Sequence, residues 1–212
     1  MKPYWVKTNQ IVKFLFPNYI WSIPGNKRVV YLTFDDGPTP EVTEWTLAQL
    51  NKYNAQATFF CIGNNIQKHP EIFNTIVQNG HAIGNHTFSH INGWETNNVA
   101  YIQNVKDCEV QLSKLMSNNS NLFRPPYGKV SLKQARMLRK MGYKIIMWDI
   151  LTADFDTTIS PQQCVDNVLK NICPGTIIIF HDSVKAFKNL EYALPETLKF
   201  LDQNGYKCEV LY

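Results

Sequence analysis

From Arg28 onward the chain repeats one unit, a short apolar run followed by a polar break and a stretch of helical pattern. The runs are "RVVYLTF", "AQATFFCI", "HAIGNH", "NLFR", "YKIIMWDI", "GTIIIFHD" and "YKCEVL". They are apolar on both faces, which demands cover from both sides and suits parallel strands under helices. Helical stretches fall at 40–53, 65–79, 97–116, 131–141, 161–171 and 190–204, with Pro40 opening the first and Gly80 and Gly142 closing two others. These β-α units predict an α/β fold, a deformed (β/α)7-type barrel with a short N-terminal extension. No glycine-rich phosphate loop follows any run, which argues against a dinucleotide-binding sheet. Periodicity alone is shared with an open doubly wound sheet. Without a linker or a composition shift, residues 28–212 read as one catalytic-sized domain and residues 1–27 as the extension.

Within the extension, Thr8 is a candidate cap for a short helix that Pro17 stops, and the aromatic residues are expected to cover one end of the domain. Its apolar patch, Ile11 to Phe16, is interrupted by Lys13 and is too short to span a bilayer. No transmembrane segment is expected, and no small-residue cleavage site follows the patch. The literal expectation is therefore a soluble, cytoplasmic chain, with a membrane-surface anchor as the sharper alternative for the extension. A net charge of +4, with 21 basic residues and no stripe among them, argues against nucleic acid as a partner. The five cysteines, Cys61, Cys108, Cys164, Cys173 and Cys208, include no CxxC and read as buried thiols. Composition leaves the oligomeric state open.

In a barrel of this kind, reacting groups gather where strands hand over to loops at the C-terminal rim. Asp35 and Asp36 end the first run, and His86 and His90 follow the third. Arg124 ends the fourth, Asp149 and Asp154 follow the fifth, and His181 and Asp182 end the sixth. A single strand-end carboxylate is usually a helix cap, but five rims bearing ionisable groups point to a site. Two adjacent carboxylates resist ionising together unless a cation compensates them. "HTFSH" places His86 and His90 four apart, so that a helical turn would bring both onto one face. Two surface histidines are the ordinary reading of that spacing. Asp36 added to the pair makes a two-histidine, one-aspartate set with an open position, as a catalytic zinc requires. Asp35 is then free to act as general base, with Arg124 before Pro125 and Pro126 as its cation. His181, after four apolar residues, is either a satisfied core histidine or a general acid.

"TFDDG", "HTFSH", "RPPYG", "TADFD" and "IIFHD", in that order, resemble the five motifs of polysaccharide deacetylases with a NodB homology domain, carbohydrate esterase family 4. The resemblance runs from about Arg28 to the C-terminus. It implies a deformed barrel and metal-dependent removal of N- or O-linked acetyl groups from an acetylated glycan of chitooligosaccharide, peptidoglycan or xylan type. Carried over by motif, Asp35 resembles the catalytic base, and Asp36, His86 and His90 resemble the metal ligands. The ion implied is divalent, zinc first, with cobalt or nickel able to replace it. Arg124 resembles the residue that positions the base, and Tyr127 the tyrosine whose backbone N–H stabilises the oxyanion. Asp154 resembles the aspartate that tunes His181, the implied general acid. Ile179 resembles the aliphatic wall of the acetyl pocket, to which Phe155 and Trp148 are also assigned.

The fourth motif departs from the common pattern. Leu151 stands where many members carry an aspartate, and Phe155 where a tryptophan is usual. Phenylalanine keeps an apolar wall but loses the indole donor, which bears on substrate choice more than on chemistry. Family substrates lie in the cell envelope or outside, in tension with the cytoplasmic expectation. Two other readings compete: a non-catalytic sugar-binding barrel, and a metallohydrolase of a small non-glycan amide or ester. A pure binder needs none of the proton-transfer groups, and the shape of the groove separates polymer from small molecule.

Overall fold

The apolar runs form the strands expected of them. The computed structural model describes residues 4–25, 27–116 and 121–212. Its strands are β1 (Val29–Asp35), β2 (Ala57–Cys61), β3 (Ala82–Asn85), β4 (Leu122–Phe123), β5 (Lys144–Ile145), β6 (Ile150–Leu151), β7 (Ile177–His181) and β8 (Lys207–Cys208). They lie side by side in the order β5-β4-β3-β2-β1-β7-β6, all parallel, with β8 pairing the start of β1. The helices are α1 (Gln10–Leu15), α2 (Val42–Lys52), α3 (Gly63–Lys68), α4 (Pro70–Gln78), α5 (Asn98–Leu115), α6 (Leu132–Lys140), α7 (Pro161–Leu169) and α8 (Val184–Gln203). None of the described helices is long and apolar enough to cross a membrane.

Alternation along the strands separates two cores. Val30, Leu32 and Phe34 of β1, with Ala57 and Phe59 of β2, face the helices, and Phe34 stacks between Phe59 and Phe180. Tyr31, Phe60 and Ile177 belong to a separate inner cluster with Leu122, Ile146 and Leu211. Thr33 and Asp35 share the face of Tyr31, so β1 delivers a carboxylate to the rim from inside the barrel.

Several boundaries differ from the sequence reading. The stretch 65–79 is two helices, because His69 precedes Pro70 and is driven out of the helical region (φ −131°, ψ 56°). The last long helix begins at Val184 rather than Leu190, since Ala186, Asn189 and Leu190 already face the core. Asn9, not Thr8, caps α1, accepting from the Ile11 N–H at 2.8 Å. Of the cysteines, Cys61, Cys108 and Cys164 are buried, whereas Cys173 is exposed.

The expected fifth strand is split. Its first part, β5, pairs with β4 and its last, β6, with β7, so one continuous run crosses between the two edges of the sheet. The unpaired groups of that crossing are met by the extension. Ile20 donates to Ile145 O and accepts from Met147 N–H, each at 2.8 Å. Thr8 N–H donates to Asp149 O and Leu151 N–H to Val6 O, again at 2.8 Å. Tyr4, Tyr19 and Trp21 pack on the cores, while Trp5 and Phe14 stay exposed.

Asp149 thereby takes a different part from the one its position suggested. It lies level with the start of β7, its N–H bonded to Ile177 O, away from the catalytic rim. Its buried carboxylate is gripped by Lys7 (2.7 Å) and Lys13 (2.5 Å) of the extension. Replacing Asp149 by alanine is expected to cost about 2–3 kcal/mol, below the full penalty for breaking a buried pair because both lysines reach solvent. Urea unfolding followed by circular dichroism measures this, and an unchanged midpoint would mean that the extension is held by its backbone bonds alone.

Candidate active site

The adjacent aspartates part company at the end of β1. Asp35 is still in the strand and points into the barrel, where its Oδ1 accepts from Arg124 Nη1 at 2.7 Å. Asp36 has left the strand with φ 87°, a left-handed conformation rare for a residue with a side chain, and turns toward the third strand end. There His90 Nε2 lies 3.2 Å from Asp36 Oδ1 and His86 Nε2 lies 3.9 Å from it. One ligand atom from each of the three residues falls within 4.8 Å of the other two. His86 Nε2 is also 3.7 Å from Asp35 Oδ2, so this ring stands between the two carboxylates.

The two histidines converge without the helical turn that their spacing suggested. His86 to His90 is a loop in which Thr87 (φ 65°) and His90 (φ 53°) are both left-handed. Asn104 of α5 holds it, its Oδ1 accepting from Phe88 N–H (2.9 Å) and Ser89 N–H (3.0 Å). The imidazole rings end 5.1 Å apart. His86 Nδ1 lies 2.7 Å from Arg124 O, an acceptor only, so that nitrogen carries the proton and Nε2 presents a lone pair to Asp36. Burial pushes the His86 pKa down to about 4, which leaves the ring neutral, as a metal ligand must be. Burial works against ionised Asp36, but His90, His181 and His86 outweigh it and hold the carboxyl below the usual carboxylate range. Asp36 Oδ1 is buried, and among the described residues no aligned hydrogen bond is aimed at it. An orphan anionic oxygen facing two imidazole nitrogens fits a divalent cation.

Around this cluster stand two ion pairs. Arg124 is fully buried; Nη1 also reaches Thr33 Oγ1 (2.7 Å), Nη2 donates to Met147 O (2.9 Å), and the guanidinium lies 4.2 Å from the Phe60 ring centroid. Opposite it, Asp154 grips His181 twice, accepting from its N–H at 2.8 Å and meeting Nδ1 at 2.7 Å. Burial would lower the His181 pKa, but the charge and hydrogen bond of Asp154 prevail and raise it to about 9. His81, by contrast, lies at the start of β3 with its Nδ1 accepting from Ala57 N–H, far from the rim.

The remaining expected residues surround the cluster. Tyr127, at φ 59°, sets its hydroxyl 3.2 Å from His90 Nδ1 and packs edge-on against that ring. Trp148 is half-buried 5.9 Å from the Arg124 guanidinium, so close beneath Gly128 that a Cβ there would stand 2.8 Å from the indole. Phe155 packs edge-on against His181 at 5.1 Å, and Ile179 is buried between Thr33 and Leu151. Asp36, His90 and His181 all reach solvent. Thr33 and Phe60 were not singled out from the sequence. Alternation places Thr33 on the same face as Asp35, a legible signal, whereas nothing local marks Phe60.

Known proteins resemble this chain in both sequence and fold. Residues 22–146 match the family model described as polysaccharide deacetylase. A peptidoglycan-N-acetylglucosamine deacetylase of Bacillus cereus is 38% identical over 78% of this chain, and the chain spans only 60% of that relative's length. A chitooligosaccharide deacetylase of Azorhizobium caulinodans is 32% identical over 76% of each chain. The crystal structure of the Bc1960 peptidoglycan N-acetylglucosamine deacetylase superposes with a TM-score of 0.88 at 33% identity, covering 94% of both chains. With the motif order, the half-closed parallel barrel and the matching sequences in agreement, the chain belongs to the polysaccharide deacetylase family, metalloenzymes that remove acetyl groups from carbohydrates.

Proposed function

We propose that this chain hydrolyses the N-acetyl group of a glucosamine residue within an extended glycan, with zinc held by Asp36, His86 and His90. The convergence of those three ligand atoms within 4.8 Å, between an arginine-paired carboxylate and an aspartate-paired histidine, carries the reading. Two nitrogens and one oxygen suit zinc and tolerate cobalt or nickel. The relatives' names support a cell-wall or chitin-like N-acetylglucosamine polymer, and Asp36, His90 and His181 are reachable from solvent.

Bound there, zinc supplies a Lewis acid for the acetyl carbonyl and lowers the pKa of water. Asp35 takes the proton of the attacking water, its carboxylate held in place by Arg124 and Thr33 through the shared Nη1. The Tyr127 backbone N–H is the donor assigned to the oxyanion. Protonated His181, oriented by Asp154, delivers the proton that lets the amine leave. Phe155, Ile179 and Trp148 are assigned to the wall around the acetyl methyl.

Acetate release from N-acetylglucosamine oligomers, peptidoglycan fragments and acetylxylan tests the substrate. Turnover is expected on the first two, abolished by exhaustive chelation and restored by zinc. Full activity in metal-free protein would remove the metal from the mechanism, and release from small amides alone would remove the glycan.

The paired aspartates should separate by function. Asp36→Asn is expected to lose metal in a direct metal assay. Asp35→Asn should keep its metal and lose kcat by about two orders of magnitude or more, the scale of general-base loss. Equal metal loss in both, with Asp35→Asn still active, would reverse the assignment.

The acid leaves a signature in pH. Since protonated His181 is the useful form, activity should fall as pH rises through about 9. Asp154→Asn removes what raises that pKa, so the alkaline limb should move to lower pH. A limb unmoved by this substitution would mean that the amine takes its proton elsewhere.

A further inference from the structure

Asp182 is a buried carboxyl that the mechanism above does not use. It follows His181 at the end of β7 and faces the turn that carries Asp36. Its Oδ1 accepts from Gly37 N–H at 3.0 Å, and its Oδ2 accepts from the Thr43 hydroxyl at 2.5 Å. Thr43 in turn accepts from Thr39 N–H at 2.8 Å, which ties the far side of the turn to the same carboxyl. The Asp182 backbone N–H donates to Asp35 O at 3.0 Å, so one residue brackets both aspartates.

The Gly37 N–H belongs to the peptide plane that immediately follows Asp36. The other end of that plane, Asp36 O, accepts from Asn65 Nδ2 at 2.8 Å. Holding both ends of the plane fixes ψ of Asp36, a residue already at φ 87°. A left-handed non-glycine residue persists only where its surroundings over-determine it. Gly37 shows how close the carboxyl comes: a Cβ there would lie 2.0 Å from Asp182 Oδ2. Gly37 is not itself left-handed, so its lack of a side chain serves this approach and not a backbone requirement.

We propose that Asp182 is a positioning residue for the metal site, pinning the Asp36–Gly37 peptide so that the Asp36 carboxylate faces His86 and His90. The inference rests on the reading that these three residues bind the ion. The test is zinc affinity, measured by competition with a chromophoric chelator, on the parent, Asp182→Ala and Asp182→Asn, with thermal unfolding of the metal-free proteins alongside. Asp182→Ala is expected to bind zinc about tenfold or more weakly, the lower end of what supporting partners of metal ligands contribute. Asp182→Asn keeps an oxygen for Gly37 N–H and should recover most of that loss. If Asp182→Ala does not fold, Gly37→Ala displaces the same carboxyl and should weaken zinc to a similar degree. Lower thermal stability with undiminished zinc affinity in the folded variant would reduce Asp182 to a structural residue and overturn the proposal. An asparagine variant as weak as alanine would overturn it too. A parent protein that takes up no divalent ion would end the underlying metal reading first and this inference with it.

Discussion

A guanidinium with no access to water sits inside the barrel, and much of the molecule is arranged to tolerate it. Arg124 cannot shed its charge, so every donor needs an acceptor and the charge needs a partner. Asp35 supplies the counter-charge and accepts one N–H, Thr33 and the carbonyls of Ile146 and Met147 accept three more, and Phe60 offers its ring face. These partners come from β1, β2 and the crossing run between β5 and β6. One side chain therefore joins strands from both sides of the closure, and the same contact aims the proposed base. Burial pulls the guanidinium pKa below its ordinary value, while Asp35 acts in the opposite direction. Its carbonyl completes the link to the metal side, because Arg124 O orients His86.

The extension belongs to this arrangement rather than standing outside it. Its backbone covers the crossing run, and Lys7 and Lys13 compensate Asp149 below. Tyr4 reaches higher, donating its hydroxyl to Asp156 and packing edge-on against Phe155 at 5.8 Å. Phe155 leans in turn on His181, so the segment that closes the barrel also backs the wall beside the proposed acid. A phenyl ring supported by a tyrosine from the extension fills this side of the site.

Much of the fold was legible in the residues. Apolar runs without alternation, each followed by a helical stretch, predict parallel strands with helices over them, and the structure has them in nearly those places. The rim residues were legible by position, since a strand that begins buried must deliver its polar end to the same edge of the sheet. The splitting of "YKIIMWDI" between two edges was not legible, because a strand's neighbours on either side leave the same apolar pattern. Nor could the chain show that Asp149 lies below and Asp154 above. Five residues apart, both follow the same run, and only the direction of the crossing separates them.

By itself the sequence determined which chemical groups are present, on which strand ends they fall, and in which order the motifs come. Those properties depend on local pattern, where hydrophobic periodicity and turn residues act over a few positions. Tertiary structure decided how the groups divide their work. Asp35 and Asp36 are identical neighbours until one remains in the strand beside Arg124 and the other is turned out at φ 87°. His86 and His90 meet through a loop held by Asn104, a contact from a helix further along the chain, and not through helical spacing. Asp154 becomes the partner of His181 because β6 and β7 pair, and Asp182 reaches Gly37 because β7 and β1 do. Charges acquire roles from neighbours distant in sequence, since electrostatic and hydrogen-bonding partners act over a few ångströms of space, whatever the length of chain between them.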